Sequence, residues 1–562
     1  MQGYYIKKLG SNRGSPRVWL EGSETERAGF APGQRYDIQI EGQTLVLKAN
    51  SDGARIVSGK VTGERNNPII DINSKALLAI FDGMAAIRVV VKKDQIYLLP
   101  LASEIKKRER FSRLRMKLEN GDPVEIGSLS HGGGVLSHAI HSGLKQAGLE
   151  SNLRFANEIR GELLEHAMIH NDAWSDNTQV LATPMQELAF DDRGVASIPK
   201  VEILEMGLPC SGASRAGKSK RGLTHPEAHP SVGHLVVSAL IIIGKTNPAI
   251  VILENVPEYA VSASADILRN QLRDMGYNTH ERILNGKEWG SLENRNRWCM
   301  IASTSGLDFD FEQLQPPIAV DLRIGEVLDS SIGLDDPKWR SYDYLKSKEV
   351  RDAAKGNSFG MQVLSMDGDT VPTLRKGYAK AGSTDPLLRH PTDPQLLRQF
   401  TAEEHARIKG VPEKLVAGLS STIAHQVLGQ GIVYSPFKDV GAHVGNTLKR
   451  LAENHFPVSL RKDDEPPVIS KASDGQVETV ETTKQQVLDF DISCVSSGQY
   501  VGAVIDVSSG VVTQKINRAG ATVKHDSRAL SSSVSTGDLV EVKYSNGVGR
   551  VTGQAPSKTI SR

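Results

Sequence analysis

The sequence predicts an α/β protein built around a Rossmann-like parallel sheet, with small β-rich domains before and after it. Residues 121 to about 305 alternate short apolar segments (VEIGSL, LRFANE, TQVLAT, VEILEMG and AIVILENV) with helical stretches, a pattern typical of parallel βαβ units. Alternating apolar positions mark half-buried strands in the first hundred residues, and a Gly- and Val-rich run of short strands begins near Val487.

Composition bounds the class of protein. A chain of 562 residues with 39% hydrophobic residues exceeds the usual size of one domain. Its 67 basic and 66 acidic residues nearly cancel, so any nucleic-acid surface must come from local clustering. The three cysteines, Cys210, Cys299 and Cys494, are too few for a disulfide framework and are not spaced as zinc ligands, so no metal site is predicted. The longest apolar run, Leu235 to Ile243, is roughly half a bilayer span and the N-terminus lacks an apolar signal region, so we expect a soluble cytoplasmic protein without a membrane partner.

The first hundred residues contain an internal repeat. Residues 17–48 and 69–98 each predict a short strand, a small helix and a two-strand hairpin, and their apolar positions match at a constant offset. The matched positions are Ile38, Ile40, Leu45 and Leu47 in the first copy and Val89, Val91, Ile96 and Leu98 in the second. We expect two hairpins that cover each other's apolar faces in a module spanning 1–104. This segment resembles the AbrB/SymE-type swapped-hairpin modules, many of which bind DNA, and a structural cap is the alternative.

Composition also divides the rest of the chain. Residues 105–120 (IKKRERFSRLRMK and its neighbours) predict a charge-dense helical linker with solvated basic side chains, and phosphate contact is the alternative. The strand and helix rhythm of 121–305 is lost from 306 to 395 and helical order returns in 396–460 at TAEEHARIKG. A polar linker follows at 461–486, and residues 487–562 predict a separate small β domain.

Two predicted strand ends carry the groups most suited to chemistry. VEILEMG runs into Cys210 and the next strand, AIVILENV, delivers Glu254, so a thiol and a carboxyl group are expected at the sheet edge where open α/β proteins bind ligands. The basic residues that follow the thiol are Arg215, Lys218, Lys220 and Arg221. We expect them to favour the thiolate, which is the nucleophilic form. The alternative is that Cys210 is a small buried core residue, as we expect Cys299 to be.

The motifs around these residues resemble the DNA (cytosine-5)-methyltransferase family in residue type, order and spacing. PCSGAS is followed by ENVPEY and then by GSLENRNRWCMIA, and the resemblance covers roughly 121 to 455. It implies that Cys210 is the nucleophile, that Glu254 is the acid that hydrogen-bonds the cytosine ring, and that Arg295 and Arg297 organise the site, with Arg297 reaching the base. It also implies S-adenosylmethionine as the cofactor, double-stranded DNA as the partner, and a target base that is flipped out of the duplex.

A glycine-rich turn and a downstream acid predict the cofactor site. IGSLSHGGG precedes the helical stretch VLSHAIHSGLKQAG, and Glu158 ends the next strand, where Rossmann-type sites bind ribose hydroxyls. The predicted cofactor-binding residues are Ser130, His131, Gly132, Gly133, Gly134, Glu158, Pro209 and Gln430. The sequence departs from the family pattern in three places: the glycine turn lacks the usual aromatic residue and Gly-x-Gly-Gly, Thr183 replaces the usual acid, and Gln430 replaces an Asn. The altered turn and Thr183 motivate the alternative of a catalytically decayed DNA-binding or regulatory protein.

Two further segments resemble known proteins. FTAEEHARIKGVP resembles the segment that follows the family's target-recognition region, which implies that residues 306–395 choose the DNA sequence. The residues predicted to contact DNA are Thr373, Arg375 and Lys376, together with Arg215, Lys218, Lys220 and Arg221. The last part of the chain, beginning at GQYVGAVIDVSSG, resembles KfrB-type domains of plasmid-encoded proteins.

The sequence therefore predicts a DNA cytosine-5 methyltransferase that takes its methyl group from S-adenosylmethionine. An RNA or small-molecule methyltransferase on the same sheet is a third alternative, but it leaves the long segment from 306 to 395 unexplained. The resemblance implies a bacterial, phage-encoded or plasmid-encoded protein that is associated with the nucleoid. It also leaves room for a cognate restriction nuclease as a partner.

Overall fold

The computed structural model describes residues 2–12, 15–214, 221–318, 321–356, 360–455, 494, 498–508, 510–516, 522–545 and 548–555. The chain divides into two compact units, one of Glu109–Arg461 and one made of Met1–Arg108 with Lys462–Arg562. The predicted DNA contacts Arg215, Lys218 and Lys220 lie outside the described residues. Within the described ranges, no helix is both long enough and apolar enough to cross a membrane.

A seven-stranded sheet forms the centre of the Glu109–Arg461 unit. Its strands, labelled in chain order, are β1 (Val124–Leu129), β2 (Ser151–Asn157), β3 (Gln179–Leu181), β4 (Ile203–Gly207), β5 (Ile250–Asn255), β6 (Tyr277–Asn285) and β7 (Asn296–Thr304). The spatial order is β3-β2-β1-β4-β5-β7-β6, in which β1 to β5 are parallel and β7 is antiparallel to both neighbours. This arrangement confirms the predicted Rossmann-like α/β fold.

The central strands are apolar on both faces because helices cover both sides of the sheet. All six residues of β5 are buried, and its consecutive residues Ile252 and Leu253, which face opposite sides of the sheet, join two different hydrophobic clusters. Leu448 of one helix packs in the first cluster, and Ile242 of another packs in the second. The α-helices described from residue 102 to 455 are Ala102–Asn120, Val135–Gln146, Gly161–His170, Met185–Phe190, Asp192–Ser197, Leu235–Thr246, Ala263–Asp274, Asp343–Ala354, Ala402–Ile408, Ser421–Gln430 and Tyr434–His455.

The predicted target-recognition region contains a small core. Its strands are Val363–Leu364, Val371–Pro372 and Leu387–Arg389, and Leu397–Arg398 follows them. Trp339, Val371 and Tyr378 are buried in one hydrophobic cluster with Phe400. Glu293–Asn294 pairs in parallel with Val371–Pro372, so this region is hydrogen-bonded to the chain just before β7.

The structure shows the two hairpins expected in the first hundred residues. They are Arg35–Glu41 with Thr44–Ala49, and Ala86–Lys92 with Gln95–Pro100. Leu45 pairs with Leu98 and Leu47 with Ile96, so the hairpins join edge to edge in one sheet rather than face to face as expected. Gly3–Lys8 and Arg55–Ile56 complete that six-stranded sheet. A second sheet, which contributes to the same core, consists of Gly10–Asn12, Ser15–Glu21, Ser58–Thr62 and Arg65–Ile72, and the short helices are Ser23–Glu26 and Lys75–Leu78.

The C-terminal strands belong to the same compact unit as these hairpins. They are Gln499–Ser508, Val511–Lys515, Thr522–Asp526, Leu539–Ser545 and Val548–Ala555, and they form an antiparallel sheet. Tyr500, Val512 and Val540 lie in the hydrophobic cluster that contains Leu45 and Val89. The structure therefore differs from the predicted division into separate N-terminal and C-terminal domains, because one apolar core draws on both ends of the chain.

The charge-dense segment is a helix, Ala102–Asn120, whose basic groups are partly buried rather than solvated. Arg110 is fully buried and donates to Thr304 Oγ1 at 2.8 Å and to the carbonyls of Met275 and Gly276 at 2.9 Å. Its guanidinium also lies 3.8 Å from the centre of the Tyr277 ring. The expectation of a solvated linker is wrong at this position, because carbonyl and hydroxyl acceptors compensate the buried cation.

Candidate active site

The ends of β4 and β5 bring the predicted thiol and carboxyl group to one edge of the sheet. The strands are parallel with Gly207 opposite Glu254, and the chain continues from β4 into a short 3-10 turn, Cys210–Gly212. Asn255 ties the two strand ends together, because its side-chain amide donates to the carbonyl of Leu208 at 3.0 Å. Its Oδ1 atom accepts the next backbone N–H at 2.9 Å. The hydrogen bonds of the Asn255 side chain to the main chain therefore fix the spacing between the strand ends that carry Cys210 and Glu254.

Strand β7 adds a guanidinium group at the same edge. It is antiparallel to β5 with Cys299 opposite Glu254, so Arg297, two residues earlier on the same face, is the diagonal neighbour of Glu254. Arg297 Nε is 2.5 Å from Glu254 Oε1, and the two side chains are only 9% and 11% exposed. A charge-assisted pair with so little solvent contact holds its geometry better than a surface ion pair.

The surroundings of Cys210 favour the thiol rather than the thiolate. Burial raises the pKa of Cys210, and Arg297 and Arg295 lower it while Glu254 raises it, with a net upward shift. Desolvation of the anion therefore outweighs the two nearby guanidinium groups. The effect expected of the basic run stays a prediction, because Arg215, Lys218 and Lys220 lie outside the described residues. Arg221, the one described residue of the basic run after the thiol, is exposed to solvent.

The turn after β1 has backbone conformations that require glycine. Gly132 and Gly134 have φ angles of 57° and 74°, a region that strains residues with a side chain. At Gly133 a Cβ atom would lie 2.4 Å from Val427 Cγ1. The N–H of Gly132 donates to Glu158 Oε2 at 2.9 Å, and the other carboxylate oxygen accepts a backbone N–H at 3.1 Å. The glycine turn and the predicted ribose-binding acid are therefore in direct contact.

His131 and Gly134 support this turn from within. Ser128 Oγ lies 2.8 Å from His131 Nδ1, and Trp174 Nε1 donates to His131 Nε2 at 3.2 Å. Burial lowers the pKa of His131 to about 3, so its ring is neutral. Gly134 is the N-cap residue of the helix Val135–Gln146. Both residues shape the turn, and both ring nitrogens of His131 have protein partners.

One cleft of about 410 Å³ extends from the thiol to the glycine turn, a volume within the roughly 300–1,000 Å³ usual for small-molecule sites. The predicted residues that line it are Ser130, His131, Gly132, Gly133, Glu158, Pro209, Cys210, Glu254, Arg297 and Gln430. Gly134, which is predicted to bind the cofactor, is not among its lining residues, and neither is Arg295, which is predicted to organise the site. Thr183 does line the cleft, so the position that departs from the family pattern faces the predicted cofactor.

Arg295 lies behind the cleft and connects neighbouring segments. It is 3% exposed and donates to the carbonyls of Gly429 at 2.9 Å and Leu374 at 3.3 Å. Burial lowers the pKa of Arg295 to about 10, and Arg297 acts in the same direction while Glu293 opposes it. Arg295 therefore connects two neighbouring segments to the site. One is the C-terminal end of the helix Ser421–Gln430, and the other is the loop after Val371–Pro372.

Two buried charges complete this support, and the motifs that contain them, GSLENRNRWCMIA and FTAEEHARIKGVP, do not indicate their pairing. Glu293 and Lys409 are fully buried, and Lys409 Nζ donates to Glu293 Oε2 at 2.8 Å. Glu293 Oε1 accepts the N–H of Leu374 at 2.8 Å and lies 3.6 Å from Arg295 Nη1. Burial raises the pKa of Glu293, but Lys409 and Arg295 outweigh it and the net shift is downward. The feature of the sequence that points to a buried charge here is a lysine at the apolar end of the segment HARIKG.

Glu205 is a further cleft residue that no motif marks. It lies within β4, lines the cleft and is 1% exposed. Its Oε1 atom has no hydrogen-bond partner among the described residues. Burial raises the pKa of Glu205 to about 8; a hydrogen bond with Ser128 opposes this shift and Glu254 adds to it. The signal in the sequence is an acid inside the otherwise apolar strand VEILEMG.

The three predicted DNA contacts of the target-recognition region lie on one loop. Thr373, Arg375 and Lys376 are all exposed, and Arg375 also pairs with Asp385 through Nη2 and Oδ1 at 2.6 Å. A Cβ atom at Gly429 would lie 2.3 Å from backbone atoms of both Arg375 and Lys376. The loop is therefore packed against the end of the helix that carries cleft residues. Arg375 keeps an exposed side chain while it pairs with Asp385, and DNA contact by these three residues stays a prediction.

Fold and cleft together define a class of protein: a Rossmann-like α/β domain with a thiol, a carboxyl–guanidinium pair and a glycine turn along the carboxyl edge of its parallel strands. The family described as C-5 cytosine-specific DNA methylase matches residues 137–446, and the family described as KfrB Domain matches residues 499–553. The chain belongs to the C-5 cytosine-specific DNA methylase family. The resemblances of the central and C-terminal motifs are thereby confirmed, and the AbrB/SymE-type resemblance stays a prediction.

Several bacterial methyltransferases are similar to the central part of the chain. The Type II methyltransferase M1.ScrFI of Lactococcus lactis subsp. cremoris is 26% identical over 244 residues, which cover 42% of this chain and 60% of that protein. The Type II methyltransferase M.SsoII of Shigella sonnei is 25% identical over 260 residues, covering 45% of this chain and 65% of that protein. The chain thus spans less than two thirds of the length of these two relatives. The crystal structure of S. pombe Dnmt2 methyltransferase superimposes with a TM-score of 0.44 at 17% identity, covering 58% of this chain and 99% of that chain.

Proposed function

We propose that the protein is an S-adenosylmethionine-dependent DNA (cytosine-5)-methyltransferase. The observation that carries this proposal is the single cleft in which Cys210, Glu254 and Arg297 lie at strand ends next to the glycine turn and Glu158. Family membership supports the reaction class, and the cleft supplies a nucleophile, an acid and an orienting cation for it.

The proposed chemistry begins with the low reactivity of cytosine C5. Cys210 passes its proton to water and its sulfur adds to C6, while Glu254 in its protonated form donates its proton to N3, so the ring becomes an enamine whose C5 carries the electron pair. C5 takes the methyl group and then releases its own proton to water, the sulfur leaves C6 as the ring double bond reforms, and the N3 proton returns to Glu254. Arg297 Nε lies 2.5 Å from Glu254 Oε1 and so fixes the direction of this carboxyl group towards the ring.

The residues of the cleft fit the methyl donor. Glu158 offers a carboxylate for ribose hydroxyls, and the glycine turn lets a ligand approach the backbone closely. The Oε1 atom of Glu205 is buried and has no hydrogen-bond partner among the described residues, so a ligand can supply the missing hydrogen bond. When bound, S-adenosylmethionine supplies an electrophilic methyl group, and the side chains named above bind and orient it.

Double-stranded DNA is the proposed substrate, with the target base flipped into the cleft because C6 is inaccessible in a stacked duplex. Residues 306–395 are proposed to choose the sequence, and the contact of Arg295 with Leu374 supports a position for this region beside the cleft. The bacterial Type II relatives support a bacterial, nucleoid-associated enzyme, for which a cognate restriction nuclease is the proposed partner.

The test is methylation of duplex DNA by the purified full-length chain in the presence of S-adenosylmethionine, read by bisulfite sequencing. We expect cytosines to become protected at one recurring sequence motif. An otherwise identical reaction without S-adenosylmethionine is the control. A folded preparation that binds DNA but protects no cytosine would instead support the catalytically decayed alternative.

Removing the charge of Glu158 is expected to weaken cofactor binding. The Glu158→Gln variant loses the anionic acceptor for ribose hydroxyls, so its Kd for S-adenosylmethionine should rise by roughly tenfold, the scale of one charge-assisted hydrogen bond. Calorimetry on the full-length chain measures this change. Glu162→Gln is the control, since that exposed acid pairs with Arg160 through Oε1 and does not line the cleft. Equal affinities of wild type and Glu158→Gln would show that this acid does not bind ribose.

Two neighbouring basic residues should behave differently towards DNA. The Lys376→Ala variant is expected to lower DNA affinity a few-fold and to reduce the slope of log affinity against log salt by about 1, because one phosphate contact is lost. The Arg375→Ala variant should instead lower the melting temperature, since it leaves Asp385, whose side chain is 4% exposed, without its cation. Fluorescence anisotropy over a salt series and thermal melts measure the two effects. The reverse pattern would contradict the assignment.

A further inference from the structure

Glu205 is a carboxyl group of the cleft that the reaction described above does not use. It lies on β4 opposite Ser128 of β1, is 1% exposed, and leaves Oε1 without a partner among the described residues. A buried carboxyl oxygen without a hydrogen bond costs folding free energy. Such a group in a ligand cleft is explained if the ligand brings the missing donor or the missing positive charge.

The cations of the protein that line the cleft are already matched. The titratable or charged groups lining it besides Glu205 are His131, Glu158, Arg160, Cys210, Glu254 and Arg297. Arg297 pairs with Glu254 and Arg160 pairs with Glu162 at 2.8 Å. His131 is neutral, and Glu158 is hydrogen-bonded by backbone N–H groups. Among the described residues no cation lining the cleft is left for Glu205, so we look for its counter-ion in the ligand.

We infer that Glu205 is the counter-ion of the sulfonium group of S-adenosylmethionine. The cleft therefore prefers this donor to its product, S-adenosylhomocysteine, whose sulfur carries no charge. The inference rests on the proposed function and deepens it, because it assigns a residue that distinguishes the methyl donor from the spent donor. A buried sulfonium needs a nearby anion for the same reason that any buried charge does.

The position of Glu205 selects the sulfonium among the groups of the ligand. Glu205 and Gly207 are alternate residues of β4 and therefore share one face. A Cβ atom at Gly207 would lie 3.5 Å from Glu254 Oε2, and the same strand leads directly to Cys210. The transferred methyl group must reach C5 of a ring whose C6 is bound to Cys210, so the sulfur lies at this end of the cleft. Glu158 marks the ribose end.

This assignment has a consequence for turnover. Transfer of the methyl group converts the sulfonium into a neutral thioether, so the attraction to Glu205 disappears in the same step. The carboxylate then takes up a proton from solvent, because burial favours its neutral form. The product is held less strongly than the donor, which favours its release.

The experiment compares the affinities of both ligands for wild type and Glu205→Gln by calorimetry on the full-length chain at pH 7. Gln has nearly the same shape and keeps hydrogen-bonding capacity, but it cannot carry the charge. We expect the variant to lose roughly tenfold in affinity for S-adenosylmethionine while its affinity for S-adenosylhomocysteine stays within about twofold. Unchanged affinities, or an equal loss for both ligands, would overturn the inference.

Glu202→Gln is the matched control, because Glu202 is a buried acid directly before β4 that does not line the cleft. It pairs with Arg113 and accepts the N–H of Glu125. This variant should have a lower melting temperature but the wild-type ratio of the two affinities. A change of that ratio in Glu202→Gln equal to that in Glu205→Gln would also overturn the inference.

A second measurement uses the wild type alone, so it does not depend on how well the variant folds. The carboxyl group is protonated at pH 7 in the free protein and ionised beside the sulfonium, so binding of S-adenosylmethionine should release protons beyond those released by S-adenosylhomocysteine. The affinity ratio should therefore rise with pH and level off above about 8. Equal proton release by both ligands would contradict this. If the wild type binds neither ligand, with or without DNA, it is the proposed function that fails.

Discussion

Replacing Cys210 with serine is expected to abolish methyl transfer while leaving the fold intact. A hydroxyl is a far weaker nucleophile towards C6 than a thiolate, so the rate of transfer should fall by roughly 10⁴-fold or more, the scale seen when a covalent nucleophile is removed. Transfer of a labelled methyl group to duplex DNA measures the rate. DNA that contains 5-fluorocytosine should trap the wild type covalently, because fluorine at C5 cannot leave as a proton does, and should not trap Cys210→Ser.

The matched control is Cys299→Ser. Cys299 is fully buried in the core on β7, so its replacement places an unsatisfied hydroxyl in apolar surroundings and should lower the melting temperature. It should not prevent transfer by molecules that remain folded. Near-normal transfer by Cys210→Ser would contradict the covalent mechanism, whatever the behaviour of the control.

Glu293→Gln is expected to have the largest effect on stability. It leaves Lys409 and Arg295, two buried cations, without their shared anion, and breaking such a pair costs roughly 3–5 kcal/mol. Because Arg295 also holds Gly429 and Leu374, transfer should fall as well. Chemical denaturation of the full-length chain, followed by tryptophan fluorescence, measures the stability of the unit that contains Trp289 and Trp298.

The double variant Glu293→Gln, Lys409→Met should recover much of this loss, because it removes one of the two uncompensated cations. Burial and Arg295 lower the pKa of Lys409 to about 7 even with Glu293 opposing them. Without Glu293 the folded-state pKa of Lys409 falls further below its unfolded value. The single variant should therefore become more stable as pH rises from 7 to 9, since its unfolded state still binds the Lys409 proton that the folded state has lost. Strictly additive effects of the two substitutions would show that these residues do not interact.

Local patterns in the sequence were sufficient to predict the central sheet and the positions of Cys210, Glu254 and Glu158. Each of these groups follows or ends a recognisable apolar strand, and parallel strands bring their carboxyl ends to one edge. Arg297 entered through a motif rather than through strand order, and the structure places it beside Glu254 because β7 runs antiparallel to β5.

Features that depend on distant parts of the chain could not be read from these patterns. Lys409 and Glu293 are 116 residues apart in sequence, and neither position shows its partner. The pKa of Cys210 depends on how completely water is excluded, which the basic run after it does not reveal. In the sequence, Glu205 is visible only as an acid in an apolar strand, and that pattern is equally typical of the end of a strand.

The sharing of one core by both ends of the chain has a consequence during synthesis. The segment from Glu109 to Arg461 is inserted between the two halves of the other unit, so it is complete before the ribosome has made the last strands of that unit. From Pro100 to Gln499, elongation at roughly 5–20 residues per second takes about 20–80 seconds. During that interval the N-terminal hairpins lack the C-terminal side chains of their core, and they expose apolar surface that chaperones recognise. The catalytic segment is therefore able to fold before its flanks, and the flanks finish last.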